Sequence, residues 1–265
     1  MEIFSLLLGT VLLRPYVFVF LAFYLTIAIL NMGLARSLIF TVLAYSIAFL
    51  SEYSSTRTGF PYGFYSYIDT TRDQELWITN VPFMDSLSYA FLSYISYTVS
   101  LLFWSSWSKT GWDVRLPENM FIQSSLRVVL TGAFFFMMMD VIIDPIAFLG
   151  DRWFLGKIYT YQEEGEYFNI PLTNFAGWFL VGTAILSSFS WLNRRLEGKL
   201  PFAKRDVPYQ ALLGPGLYLG VLIFNLAVTF YIGEFLMGLS GTLIFLGILA
   251  LLLYKIKNPA WLTKR

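Results

Sequence analysis

Long blocks of apolar residues, separated by short polar segments, run through this chain. Blocks of about 17 to 25 residues recur, the length an α-helix needs to cross about 30 Å of hydrocarbon. They predict membrane-spanning helices near residues 15–31, 34–53, 82–107, 121–145, 172–193, 208–231 and 235–254. Helix is the form expected of such blocks, because a lipid-exposed span must satisfy every backbone polar group within itself. Residues 2–13 are also apolar but too short to span, and Arg14-Pro15 separates them from the first full block. They read as an interfacial helix or as an extension of the first span. No basic stretch precedes them and no small-residue cleavage pattern follows, so the start does not read as a cleaved signal peptide. The expected architecture is an all-α polytopic transmembrane bundle of about seven spans, with residues 1–265 forming one integral membrane domain.

Composition agrees with that class: 57% of the 265 residues are hydrophobic, 19% aromatic and only 13% charged, more apolar surface than a soluble fold of this length could hide. The formal charge of +1 and the lack of a basic run give no nucleic-acid footprint. Cysteine and histidine are both absent. Their absence excludes disulfides, thiolate metal sites, histidine-ligated haem, the histidine boxes of membrane di-iron enzymes, and nucleophilic triads built on histidine. Chemistry in this chain has to run on carboxylates, amides, tyrosines, arginines and aromatic faces.

Loop charges predict an orientation. With seven spans, one set of ends holds twelve basic residues: Arg36, Lys109, Arg115, Arg194, Arg195, Lys199, Lys204, Arg205, Lys255, Lys257, Lys264 and Arg265. The other set holds five, namely Arg14, Arg57, Arg72, Arg152 and Lys157. The excess of basic residues marks the cytoplasmic side, which places the C-terminus in the cytoplasm of a multi-pass cell-membrane protein. Four unusual segments then share the non-cytoplasmic face: residues 51–67, 81–85, 140–159 and 171–178. Inward-facing groups at one end of a helix bundle are how bundles build ligand sites.

Within these segments the sharpest feature is LTGAFFFMMMDVIIDP, an apolar run closed by Asp140 and Asp144. A carboxylate in a membrane span costs about 2.5 kcal/mol or more, and a spacing of four puts both on one helix face. Asp144 precedes Pro145, which disfavours helical geometry at the preceding residue, so it also reads as the turn that ends the span. Glu52 either pairs with Arg57 at the interface or points into the bundle. Asp85 is either a first-turn acid that complements the helix dipole or a site residue. Asn174 is a candidate helix cap. Glu234 reads as a loop residue, and Asn225 and Arg127 as buried polar groups that join helices. TGFPYGFYSY, with its glycines, proline and aromatics, reads as a defined turn in an interfacial aromatic belt.

Taken together, SEYSSTRTGFPYGFYSY, VPFMDSLSYAFLSY, MMMDVIIDPIAFLGDRWFLGKIY and PLTNFAGWFLVG closely resemble the membrane carotenoid-biosynthesis protein family, which includes carotenoid 1,2-hydratases and bisanhydrobacterioruberin hydratase. The resemblance runs from about residue 15 to 195, and the last two spans share only general character. It implies addition of water to the terminal double bond of an acyclic carotenoid end group (lycopene, γ-carotene or a C50 type), giving a tertiary alcohol without a cofactor. The polar and aromatic positions within the matching segments are then the expected substrate contacts: Arg57, Tyr62, Tyr65, Arg152, Trp153, Asn174 and Trp178. The residues suit that chemistry on their own terms. Hydration of a gem-dimethyl alkene needs an acid for the less substituted carbon, stabilisation of a tertiary cation, and a base that orients water. Asp140 and Asp144 can divide the acid and base roles, with Glu52 and Asp85 as alternates, and aromatic faces can stabilise the cation. No metal is called for, the partners are a carotenoid and the bilayer, and a lipophilic substrate suits a site that opens laterally. The competing class is a non-catalytic carotenoid- or lipid-binding protein, or a small-solute transporter, although no inverted repeat is visible. A retinal-binding rhodopsin needs a lysine inside the last span, and none occurs between Lys204 and Lys255.

Overall fold

A computed structural model describes residues 2–110, 113–115, 120–200 and 207–258. Seven helices are long and apolar enough to cross a membrane: α2 (Pro15–Met32), α3 (Leu34–Thr58), α4 (Phe83–Trp104), α6 (Leu126–Phe148), α7 (Leu172–Arg195), α8 (Gln210–Tyr231) and α9 (Phe235–Lys257). The molecule is an all-α polytopic bundle. Residues 2–13 form a separate helix, α1 (Glu2–Leu13). It is tied to the loop after α3, where Thr10 accepts the Leu76 N–H at 2.8 Å. Arg14, just beyond α1, is buried against Glu75 at 3.0 Å.

The spans close around α4. Of its apolar window 89% is buried, against 28% in α2, α3 and α9, so α4 is the central helix and the others wrap it. Its sequence suits that place. Ser93, Ser96 and Ser100 return their hydroxyls to carbonyls of their own helix at 2.6, 2.8 and 2.7 Å, which satisfies them without a partner helix. Their small size lets neighbouring helices approach, and Tyr89, Tyr94 and Tyr97 fill the space between.

Several span limits depart from expectation: the second span runs on to Thr58 and the third ends at Trp104, and the departures in the fourth and last spans have local causes. The fourth span starts at Leu126, not 121, because Ser125 caps it by accepting the Val128 N–H at 3.4 Å, and Met120–Gln123 forms a separate short helix, α5. The same helix runs through Pro145 to Phe148, so Asp144 stays helical instead of ending the span. The hydrogen bond that proline removes belongs to the last turn, where hydrogen bonds to its side chain hold Asp144 in place. The last span runs on to Lys257 and takes in a buried Lys255 close to the Trp107 ring, at the end of α9 away from the loops that follow α3 and α6. Arg127 is exposed over the Trp104 ring, not buried between helices. Lys204, Arg205, Lys264 and Arg265, which enter the charge asymmetry, lie outside the described residues.

Short strands organise the loops. β1 (Tyr65–Tyr67) pairs antiparallel with β6 (Tyr159–Tyr161), in register Tyr65 to Tyr161 and Tyr67 to Tyr159. β2 (Trp77–Ile78) and β3 (Val81–Pro82) form a tight hairpin before α4, and β4 (Ser108–Thr110) pairs with β5 (Asp113–Arg115) at the opposite end of the bundle. The β1–β6 ribbon joins the loop after α3 to the loop after α6 and so roofs the end of the bundle where α3 and α6 finish and α4 and α7 begin.

Candidate active site

Four residues apart on α6, Asp140 and Asp144 point to one side of the helix and are 1% and 8% exposed. Asn174, in the first turn of α7, reaches both. Its side-chain N–H groups donate to Asp140 Oδ2 at 2.7 Å and to Asp144 Oδ2 at 3.0 Å. Asn174 is therefore not the cap of α7; Pro171 holds that position without a side-chain bond. The amide sits between two acceptors, its natural place as a double donor.

Two phenols complete the surroundings of Asp144. Tyr159 donates to Oδ1 and Tyr161 to Oδ2, the latter at 3.1 Å. Both come from β6, and the period of two along a strand puts them on the same ribbon face as their partners Tyr67 and Tyr65. Four tyrosines thus hang from one two-stranded roof. Their rings meet edge to face, with Tyr65 at 5.3, 6.1 and 6.0 Å from Tyr67, Tyr159 and Tyr161, the preferred aromatic geometry. Burial first, and the neighbouring carboxylates next, push the Tyr67, Tyr159 and Tyr161 phenols well above their ordinary range. These groups remain donors.

Two further carboxylates face the same space. Asp85, in the first turn of α4, accepts a hydrogen bond from Tyr67. Glu52, near the end of α3 and 1% exposed, accepts one from Ser86 and makes no pair with Arg57. All four acids line one cavity of about 160 Å³, together with Tyr62, Tyr65, Tyr89, Trp153, Asn174 and Trp178. Its floor is aromatic: Trp178 stacks on Tyr89 at 4.5 Å and 14°, and contacts Phe136 at 4.6 Å. The turn after α3 reaches this floor because position 177 has no side chain. A Cβ at Gly177 would lie 2.7 Å from the Pro61 carbonyl oxygen and 2.6 Å from the Tyr62 ring.

The structure brings together Asp140, Asp144, Glu52, Asp85, Tyr62, Tyr65, Trp153, Asn174 and Trp178. It leaves two proposed contacts outside. Arg57 is exposed, donating to Asn80 at 2.7 Å and covering the Tyr53 ring at 3.4 Å. Arg152 pairs with Glu234 and donates to the Ile232 carbonyl at 2.7 Å, joining its loop to the α8–α9 turn. Tyr67, Tyr159, Tyr161 and Ser86 were not singled out from the sequence. The signal for the tyrosines was present as two Tyr-x-Tyr triplets, YSY and YTY, each with the period of a strand that shows one face to a cavity. Among the described residues, no group of three or more acidic, histidine or cysteine side chains is placed to hold a metal ion.

One family model matches the chain, over residues 4–248, and its description is carotenoid biosynthesis protein. The match reaches past residue 195 through α8 and into α9. No curated protein and no solved structure matches.

Proposed function

Because the chain belongs to the carotenoid biosynthesis protein family, we propose that it is a carotenoid hydratase, adding water across the terminal C=C of an acyclic carotenoid end group to give a tertiary alcohol. The observation that carries this reading is an apolar, aromatic-floored cavity in which one asparagine bridges two aspartates. An apolar alkene and an acid–base pair have to meet in just such a place.

The hydrogen bonds divide the roles. Asp144 receives three donors, from Tyr159, Tyr161 and Asn174, the environment of a carboxylate that acts as base. Asp140 receives one, from Asn174, and keeps an oxygen for the proton it delivers. That proton goes to the less substituted alkene carbon, the π electrons forming the new C–H bond and leaving a tertiary cation. The faces of Trp178 and Tyr89 lie in the same cavity to stabilise that charge. Water adds to the cation, its oxygen forming the C–O bond, and gives its second proton to Asp144. Return of that proton from Asp144 to Asp140 through water in the cavity, while Asn174 holds the two carboxyls side by side, restores the starting state. Asp85 with Tyr67, and Glu52 with Ser86, supply a polar wall that orients the attacking water.

Size supports one end group per turnover. The cavity of about 160 Å³ compares with the roughly 150 Å³ cavities that take up benzene, so a branched five-carbon terminus fits and a whole carotenoid does not. The cavity lies near the end of the bundle with fewer basic residues, and that charge asymmetry supports a site toward the non-cytoplasmic side with the C-terminus in the cytoplasm.

Expression in cells that accumulate lycopene or γ-carotene, followed by mass analysis of the pigments, tests the reading. The expected product is heavier by one water. Unchanged pigment, with the protein well expressed in the membrane, counts against hydration, and pigment that co-purifies unaltered points to a carotenoid-binding protein instead.

A further inference from the structure

A cavity that holds one end of a long polyene must let the rest of the molecule leave, and its wall next to α2 and α8 is built of aromatic rings. Phe20 of α2 and Phe224 of α8 both line the cavity and meet edge to face at 6.0 Å. Over them lies Phe154, 64% exposed, from the loop after α6. Its ring is 5.8 Å from Tyr16 of α2 and 6.3 Å from Phe224, so it bridges the seam between the two helices. Either side of the seam the surface is apolar and open to lipid, with Val19 52% and Ile223 54% exposed. No charged side chain stands between the aspartate pair and this seam among the cavity-lining residues of α2 and α8.

The loop that carries Phe154 is held at three points. Arg14 donates to the Leu155 carbonyl, Arg152 reaches Glu234 and the Ile232 carbonyl, and the Trp153 indole donates to the Ile146 carbonyl at 2.9 Å. These contacts tie the loop to the start of α2, the end of α8 and the end of α6. The exposed phenylalanine is thus fixed over the seam, and Arg152 acts on the site by positioning it.

We propose that the α2–α8 seam under Phe154 is the binding subsite for the extended isoprenoid chain of the substrate, which passes between Phe20 and Phe224 into the bilayer while its end group lies by Asp140 and Asp144. The occupant follows from continuity with the cavity and from its size, and the proposal rests on the functional reading above. Replacing Phe224 by the photo-reactive p-benzoylphenylalanine in the full-length protein, in lycopene-producing membranes, provides the test. Its neighbour Ile223, which faces lipid, serves as the control for carotenoid merely dissolved in the bilayer. Cross-linking to carotenoid several-fold greater at position 224 than at 223 is expected, and equal yields overturn the proposal. Phe224→Trp narrows the seam without touching the acids. It should lower conversion of the full-length polyene and spare that of a two-isoprene analogue with the same end group. An equal loss for both substrates contradicts the seam. If position 224 cross-links selectively but wild-type membranes make no hydrated product, hydration fails while the subsite stands.

Discussion

Asn174→Ala isolates the bridge between the two aspartates without altering either acid. The substitution deletes two hydrogen bonds, at 2.7 Å to Asp140 and 3.0 Å to Asp144. Hydrogen bonds to charged groups contribute about 1.5–3 kcal/mol each. The two losses are not equivalent. Asp144 keeps Tyr159 and Tyr161, whereas among the described residues Asn174 is the one hydrogen-bond donor to the Asp140 carboxyl. Most of the effect therefore falls on the proton donor. Loss of about 1.5–3 kcal/mol from transition-state positioning slows turnover about ten- to a hundredfold, since each 1.36 kcal/mol is worth about tenfold. The assay is the fraction of hydrated pigment in carotenoid-producing membranes, normalised to protein level, with the thermal midpoint of purified protein in detergent as the control for folding. Wild-type conversion by a folded Asn174→Ala protein refutes the bridge, and with it the division of roles between the aspartates. Collapse of the midpoint together with loss of conversion calls for Asn174→Gln, a longer amide that keeps both donors, which should restore part of the activity.

Other outcomes follow from the same geometry. Tyr159→Phe and Tyr161→Phe each remove one of three donors to Asp144, so each should cost less activity than Asn174→Ala, and the double variant should lose more than the product of the single effects because they serve one carboxylate; simple multiplicativity argues against a shared role. Arg57→Ala should leave conversion at the wild-type level, since Arg57 lies outside the cavity on Asn80 and Tyr53, whereas Asp85→Asn should reduce it; the reverse ranking would count against the cavity as the site. Gly177→Ala puts a Cβ 2.7 Å from the Pro61 oxygen and should destabilise by about 1–3 kcal/mol, as overpacking does, read as a lower thermal midpoint. Glu75→Gln leaves Arg14 without its partner where the two side chains are 5% and 1% exposed, a loss of about 3–5 kcal/mol for a broken buried pair; an unchanged midpoint would mean that the pair does not hold α1 and the loop after α3 together.

The spans were legible because crossing hydrocarbon demands about 20 apolar residues in one run, a constraint strong enough to show in a single sequence. Their ends were less so. Ser125 was one serine among several near a polar segment, and its capping role becomes visible only once Val128 is seen to donate to it. Proline after Asp144 argued for a helix end by a local rule, and the tertiary contacts of Asp144 with α7 and β6 overrode it. Acids in apolar runs drew attention because a membrane penalises them, and Asp140, Asp144, Glu52 and Asp85 do face one cavity. Arg57 and Arg152 were expected contacts only as polar positions within the resembling segments, and each has its partner at the surface. The tyrosine roof was the least legible part. Strands of three residues carry almost no periodic signal, and the pairing of residues 65–67 with 159–161 spans more than ninety positions, which nothing local encodes.

Hydration as the reaction, with the aspartate pair as its acid and base, is tested most directly with purified protein in lipid nanodiscs, lycopene as substrate and water enriched in heavy oxygen. The account predicts a tertiary alcohol carrying the heavy oxygen from wild-type protein, and none from folded Asp140→Asn or Asp144→Asn. An alcohol without the label, or labelled product at the wild-type rate from either aspartate variant, would contradict it.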